Sequence, residues 1–358
     1  MPTSNLKIVN FRCFSNASID LSEGINFFYG KNGAGKTSIL EAIHLASSGK
    51  SFKSSNINSL SKDDKKSFLI ESYNSSSGSI TTVSKHEGKA LSIKLNNKKI
   101  TKINLLIESP SIITDNHTYS FINETPAFRR KMLDKVLFVS DSSYRESWMQ
   151  YQRLLKQRNA ALRTQDASLA SAWSTKLSTN GEIITKSRID FLNLVISNFH
   201  TLLDYLSKKH SINQLKKIDI AFLKGWDGEG LLEEINNREN IDIKAKTTTK
   251  GPHKADIQFL YKNTEAKHIL SRGEQKLLSI IWTYSQHKTI KDMFNKEPVL
   301  ILDDIKSELD SHTFEVFLSL LELIETQVIF SCIEDIISSK IEDKFKGLKK
   351  FHVEQFKT

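Results

Sequence analysis

Gly30, Gly35, Lys36 and Thr37 fit the spacing G-x-x-x-x-G-K-[ST] within the run Gly30-Lys31-Asn32-Gly33-Ala34-Gly35-Lys36-Thr37-Ser38. The chemistry such a run can do is phosphate binding. Glycine tolerates positive φ and carries no Cβ, so the backbone can fold around an anion. The amides of residues 33–37 would point inward at the positive end of a following helix. Lys36 would then reach the β- and γ-phosphates of a nucleotide, and Thr37 would set its hydroxyl on magnesium.

A second group of residues completes that chemistry. Val299–Leu302 is a continuous apolar run, as a buried parallel strand requires, and Asp303 and Asp304 follow at its C-terminal end. One carboxylate can hold magnesium while the other polarises an attacking water, although two acids can also simply cap a strand. The third element is "LSRGEQKLL", residues 270–278, where Ser271, Arg272 and Gly273 open a helix expected near Glu274. A helix N-terminus with a hydroxyl suits a γ-phosphate, or is a plain helix cap. One chain cannot easily bring this turn to its own Lys36. The expected geometry is therefore two copies face to face, each signature turn closing the other's nucleotide.

These residues need elements to hold them. "LKIVNF", "ASIDLS" and "INFFYG" read as strands, and Thr37 to Ser47 as a helix with Ile39, Leu40, Ile43 and Leu45 as its apolar positions. The glycine run thus falls between a strand and a helix, the context phosphate binding needs. Residues 48–110 are Ser-, Asn- and Lys-rich with short strand-like pieces, and "NNKK" suggests a hairpin turn in a small antiparallel sheet. From about 126 to 240 the pattern is helical: "PAFRRKMLDKVLF", "SYRESWMQYQRLLKQRNAALRTQ", "LASAWSTKL" and "RIDFLNLVISNFHTLLDYLSKK". No heptad pattern is sustained over many turns, so a long coiled coil is excluded. "GWDGEG" reads as a turn, "GPHKADIQFLY" restarts a strand, and "TQVIFSC" reads as the final buried strand.

The 358 residues suffice for two domains or one with a large insertion. The net charge of +10 favours a polyanionic partner, nucleic acid or acidic lipid. Cys13 and Cys332 belong to no C-x-x-C pair, so a cysteine zinc site is not indicated and a reducing compartment fits best. No signal-peptide design and no bilayer-length apolar run is present, so a cytoplasmic location is expected.

Taken together, the three motifs in this order resemble the ATP-binding-cassette heads of SMC-like proteins, and within them the chain resembles the RecF family nearly end to end. The likeness includes "NFRCF" at 10–14, "GKNGAGKTSILEAI" at 30–43, "GKSFKS" at 49–54, "FRRKMLD" at 128–134, "RLLKQRNAALR" at 153–163, "GPHKAD" at 251–256, "LSRGEQK" and "DDIKSELD". It implies an α/β ABC-type ATPase head, a mixed sheet with helices and a small antiparallel β subdomain at about 48–125. The head would span 1–125 and 245–358, with a mostly α-helical second domain inserted at 126–244. It further implies ATP and Mg2+ as cofactors, an ATP-dependent homodimer, slow DNA-stimulated hydrolysis, and binding to duplex beside single-stranded gaps. RecR and RecO are the implied partners, and RecA indirectly. By motif, Lys36 and Thr37 bind phosphate and magnesium, Asp303 serves magnesium, and Asp304 takes the place of the usual catalytic glutamate. Ser271, Arg272 and Gly273 form the signature turn, Ser307–Asp310 lie at the dimer seam, and Arg12 matches a head-strand arginine near the nucleotide. The chain departs from the family in lacking Pro-Glu near 116–117, in a sensing loop about 107–118, and in carrying Lys306.

Three basic surfaces are candidates for DNA. On the helix near 148–163, Trp148, Tyr151, Leu155 and Leu162 form a core stripe, leaving Arg153, Lys156, Gln157 and Arg163 for phosphates or for solvent. Lys244, Lys246, Lys250, His253 and Lys254 crowd a Thr-rich segment that is either a second contact or a polar linker. Lys50, Lys53, Lys62, Lys65 and Lys66 form a weaker third. Backbone binding with little sequence preference is expected. His117 and His253 lack a spaced second metal ligand. The rival readings are a transporter ATPase subunit, which shares the cassette, and a structural chromosome protein, which needs a long coiled-coil arm.

Overall fold

A computed structural model describes residues 2–63, 65–114, 121–335, 342, 345 and 347–356. The chain divides into two compact units, one of residues 1–119, 272–287 and 295–358, the other of 120–271 and 288–294. The expected insertion, 126–244, lies wholly in the second unit, which also takes in 245–271.

The first unit is built on two sheets. Strands β1 (Asn5–Phe11), β2 (Phe14–Asp20), β3 (Ile25–Tyr29), β4 (Phe68–Asn74), β5 (Ser79–Lys85), β6 (Ser92–Leu95), β7 (Lys98–Lys99) and β8 (Ser111–Thr114) come from its N-terminal segment. β12 (Val299–Leu302), β13 (Val328–Cys332) and β14 (Lys349–His352) come from its C-terminal segment. One sheet has the order β2-β1-β4-β5-β6-β7 and is antiparallel. Its "NNKK" hairpin is as expected: Asn96 and Asn97 both have positive φ, 47° and 65°, as a two-residue turn between twisted strands requires. The other sheet is all parallel, in the order β14-β3-β13-β12-β8. Its central strands β12 and β13 are buried throughout, which is why they read as unbroken apolar runs. β14 follows "TQVIFSC", so that strand is not the last of the sheet.

Helix α1 (Lys36–Ser48) is buried almost all round. Its Ile39, Leu40 and Ile43 share one core with Ile8, Ile70 and Val83 of the antiparallel sheet and with Ile113, Ile301 and Ile329 of the parallel one. A helix apolar on every side is one that packs between layers. α2 (Lys102–Glu108), α9 (Ser311–Leu321) and the first part of α8 (Arg272–Phe294) also belong to this unit.

The second unit contains α3 (Pro126–Ser140), α4 (Ser142–Arg163), α5 (Ala167–Ser207), α6 (Leu231–Asn237) and α7 (Glu239–Ala245). It also holds an antiparallel sheet, β11-β10-β9, of Ile218–Leu223 (β9), Asp256–Tyr261 (β10) and Thr264–Glu265 (β11), so it is not helical alone. "LASAWSTKL" and "RIDFLNLVISNFHTLLDYLSKK" belong to one helix, the 41-residue α5, about 60 Å long. α4 and α5 pair antiparallel. Tyr144 meets Arg188, Tyr151 lies against Gly181, and Arg158 meets Ser174, each contact seven residues from the next on both helices. The heptad step is real but carried by small and polar residues. The buried positions of α5 include Ala170, Ser174, Gly181 and Arg188, which an apolar pattern does not show.

The motifs that resemble the family in this unit are pieces of one buried polar framework. Arg129 forks onto Asp256 with two bonds of 2.8 Å, joining the "FRR" helix to "GPHKAD". Arg188 donates to Asp134 at 2.7 Å, and Arg158 donates to Asp242 and to Thr248, both at 2.7 Å.

Candidate nucleotide site

The site lies at the C-terminal ends of the parallel strands, where such sheets take ligands. β3 ends at Tyr29 and leads into Gly30, β12 ends at Leu302 and leads into Asp303, and β13 runs between them. Gly30, Gly33 and Gly35 adopt φ of 148°, 77° and 108°. A Cβ on Gly35 would lie 2.7 Å from both Cys13 Sγ and Phe14 Cζ, so only glycine fits that turn. Helix α1 begins at Lys36 with no side chain capping its first amides, which therefore remain available to an anion.

Lys36 Nζ donates to Gly30 O at 2.7 Å and to Lys31 O at 3.0 Å, arching over the loop. Burial lowers the affinity of this amine for its proton, against the opposing pull of Asp304 and Asp303. Thr37 Oγ1 donates to Asp303 Oδ1 at 3.0 Å, joining the loop to an acid 266 residues away. Ser331 Oγ donates to the same oxygen at 2.8 Å. Asp303 is buried, and that burial pushes its carboxyl above the usual range while the two hydroxyls oppose the rise. The hydroxyl and carboxylate oxygens side by side are the donor set a hard divalent cation takes. Asp304 stands next to them in the left-handed region, φ 49° and ψ 57°, with its amide donating to Ser331 Oγ at 2.9 Å.

A cleft of about 580 Å³ opens over the loop, lined by Asn32, Gly33, Gly35, Lys36, Thr37 and Ser38 and by Asp304, a size that suits a nucleotide. Arg12 lines it too, from a left-handed turn of φ 51°. Its guanidinium forks onto Glu41 at 2.7 and 2.8 Å, and that hydrogen-bonded pairing raises its hold on its protons further.

Several residues in and behind the cleft escape a sequence reading. Glu41 is 1% exposed in α1, and Ser51 also donates to it. Its signal was an acid in the middle of an apolar helix pattern. Cys13 of "NFRCF" and Lys53 of "GKSFKS" line the cleft too, and Ser59, Ser61 and Asp63 line it from a segment that carries no motif. Ser331 is one more hydroxyl in a buried strand, marked only by the geometry.

The remaining expected residues fall as follows. α8 starts at Arg272 rather than near Glu274; Ser271 and Arg272 are exposed and Gly273 is half-buried. Of Ser307–Asp310, Leu309 is buried and Asp310 caps α9 by accepting from Thr313 N at 2.7 Å. Lys306 is exposed, 3.5 Å from Glu334. The missing Pro-Glu and His117 lie outside the described residues, and Ser111–Thr114 of the expected sensing loop forms β8 instead.

On α4, Arg153, Lys156, Gln157 and Arg163 are exposed, while the buried stripe is Tyr144, Tyr151, Leu154, Arg158, Ala161 and Leu162. Trp148 and Leu155, expected in that stripe, are only half-buried. Lys244, Lys246 and Lys254 are exposed, and Lys250 is bonded to Asp227 at 2.7 Å. His253 is not free for phosphate. Its Nε2 donates to Thr248 O at 2.9 Å and its Nδ1 accepts from Tyr151 Oη at 2.7 Å. Burial lowers its pKa to about 4, so at neutral pH the ring is an uncharged strut. Of the third group, Lys50, Lys65 and Lys66 are exposed and Lys62 donates to Ser15.

The family model described as the RecF/RecN/SMC N terminal domain matches residues 3–355. The "DNA replication and repair protein RecF" of Shewanella frigidimarina is 30% identical over 367 residues, covering 99% of this chain and 98% of that protein. The chain belongs to the RecF family. The RecF protein of Francisella tularensis subsp. novicida is 32% identical over 348 residues, covering 93% of this chain and 95% of its own. A solved structure of the recombination mediator protein RecF with ATP matches with a TM-score of 0.79 at 24% identity, over 98% of this chain and 96% of that one. An Smc head domain from Pyrococcus furiosus matches at 0.58 and 16% identity, over 98% and 93%. The fold is that of an ABC-type ATPase head, and the family is one of DNA replication and repair proteins. Membership sets the transporter reading aside. Among the described residues no helix is long and apolar enough to cross a membrane.

Proposed function

We propose that this protein is an ATP-gated DNA-binding protein of recombinational repair and replication restart, located in the cytoplasm. Two chains close on ATP, each signature turn of Ser271, Arg272 and Gly273 meeting the nucleotide held by the other. The closed dimer binds duplex beside a single-stranded gap without sequence preference, and works with RecR and RecO to help load RecA. The observation that carries this reading is the 3.0 Å bond between Thr37 and Asp303, which brings the phosphate loop and the acidic strand end to one point.

The residues suggest the following division of work. The loop amides and the Lys36 ammonium hold the phosphates, Lys36 exchanging its bonds to Gly30 O and Lys31 O for phosphate oxygens. Magnesium, held by Thr37 and Asp303, would neutralise charge developing on the phosphate oxygens. Asp304 orients the water for in-line attack. An aspartate is one methylene shorter than a glutamate, so it stands farther from that water and turnover is slow. Hydrolysis opens the dimer, and ATP acts as a timer of DNA retention. Arg153, Lys156 and Arg163 on α4 and Lys254 beyond the Gly251 turn supply phosphate contacts, with Lys250 contributing once it leaves Asp227.

The test is retention on gapped duplex with and without ATP. The parent chain is expected to be retained only with ATP, and Lys36→Ala to lose that retention. Retention of Lys36→Ala equal to the parent would sink the gating claim.

A further inference from the structure

We infer that Lys276 is a positioning residue that ties the signature turn to the catalytic carboxylate of the same chain. It stands on α8 one turn beyond Gly273 and is 1% exposed. Its ammonium donates to the main-chain oxygen of Asp304 at 3.1 Å. A buried ammonium is costly unless acceptors and opposite charge surround it, so a lysine at this depth needs a local reason. One such reason is at the other end of its bond to Asp304. Asp304 sits in the left-handed region, where a residue with a Cβ is strained and stays only if its surroundings hold it there.

The peptide groups of Asp304 are held from both sides. Lys276 takes the carbonyl, and Ser331 Oγ accepts from the amide at 2.9 Å. The same Ser331 hydroxyl donates to Asp303 at 2.8 Å, and Asp303 accepts from Thr37 at 3.0 Å. The first turn of α8 is thereby joined through Lys276, Asp304, Ser331 and Asp303 to the phosphate loop. A small displacement of that turn moves the backbone that aims the Asp304 carboxylate. This deepens the proposed reading: the turn that meets the other chain's nucleotide sets the acid that works on this chain's own, so docking of the second chain aligns the acid in the first.

The test compares Lys276→Met and Lys276→Gln with the parent in the full-length chain, with gapped duplex present. Nucleotide affinity is read with a fluorescent ATP analogue, and hydrolysis at saturating ATP. Lys276→Met is expected to lower kcat by about tenfold or more while nucleotide affinity changes by no more than about threefold, the split of a positioning defect. Lys276→Gln, which keeps a donor on a shorter side chain, is expected to fall between the two and carries the test if the Met variant does not fold. Ser271→Ala combined with either variant is expected to cost no more than the worse single change, because both act through one link. A kcat for the folded variant within about twofold of the parent, or losses that multiply with Ser271→Ala, overturns the link while leaving the functional reading intact. Failure of the parent itself to bind the analogue would instead sink both.

Discussion

At the residue scale, Asp303 and His253 contribute in opposite senses to how stability depends on pH. Asp303 keeps its proton to higher pH than a free carboxyl because burial outweighs its hydrogen bonds. The folded state then holds more protons than the unfolded one across that window, so ionised Asp303 costs stability as pH rises through it. The proposed magnesium role needs the ionised form. Asp303→Asn is therefore expected to raise the melting temperature at neutral pH while abolishing hydrolysis; a variant that loses both stability and activity would contradict this. His253 behaves the opposite way. Its folded pKa of about 4 lies below the usual 6.5, so stability falls as pH drops from about 6.5 to about 4. The loss is at most about 3–4 kcal/mol. Denaturant melts at pH 7 and pH 4.5 should show His253→Gln with a shallower pH dependence than the parent. An unchanged slope would mean that the ring is not held neutral. The glycine-rich turn of the candidate nucleotide loop is legible in the sequence because its residues are contiguous and their types dictate the backbone. A sequence reading takes His253 for a phosphate contact because it shows neither the burial that keeps the ring neutral nor the bonds to Tyr151 and Thr248 that occupy both its nitrogens.

Among the elements, the α4–α5 hairpin shows what an apolar pattern conceals. Its seven-residue step is carried by Tyr144, Tyr151 and Arg158 against Arg188, Gly181 and Ser174, so a heptad scan finds too few apolar residues to report it. Arg158 and Asp242 are both 1% exposed. Arg158→Met leaves a buried carboxylate without its cation, and should cost about 3–5 kcal/mol in urea melts. A loss below about 1 kcal/mol would place the pair among ordinary surface bridges. The turn at Gly225 is equally constrained: its φ is 93°, and a Cβ there would lie 2.3 Å from Gly251 O. Gly225→Ala is expected to destabilise this unit by about 2 kcal/mol or more, because backbone rather than a pliant side chain stands in the way. Strands β12 and β13 were legible as unbroken apolar runs, whereas β9 and β14 mix polar and apolar residues at sheet edges and carry no such signal.

For the whole molecule, the phosphate loop and the acidic pair belong to one chain and meet through the Thr37–Asp303 bond. The signature turn opens α8 with Ser271 and Arg272 exposed, on the surface a second copy would need to meet. The net charge of +10, spread over exposed lysines and arginines, suits a phosphate backbone and predicts DNA affinity that falls steeply with salt. The central claim is that nucleotide is shared between two chains. It is tested most directly by light scattering of the full chain with gapped duplex and saturating Mg·ATP. The parent is expected to give the mass of two chains per DNA with ATP and of separate chains without it, and Lys36→Ala to give separate chains in both. A parent that stays a single chain with ATP and DNA present would contradict the account.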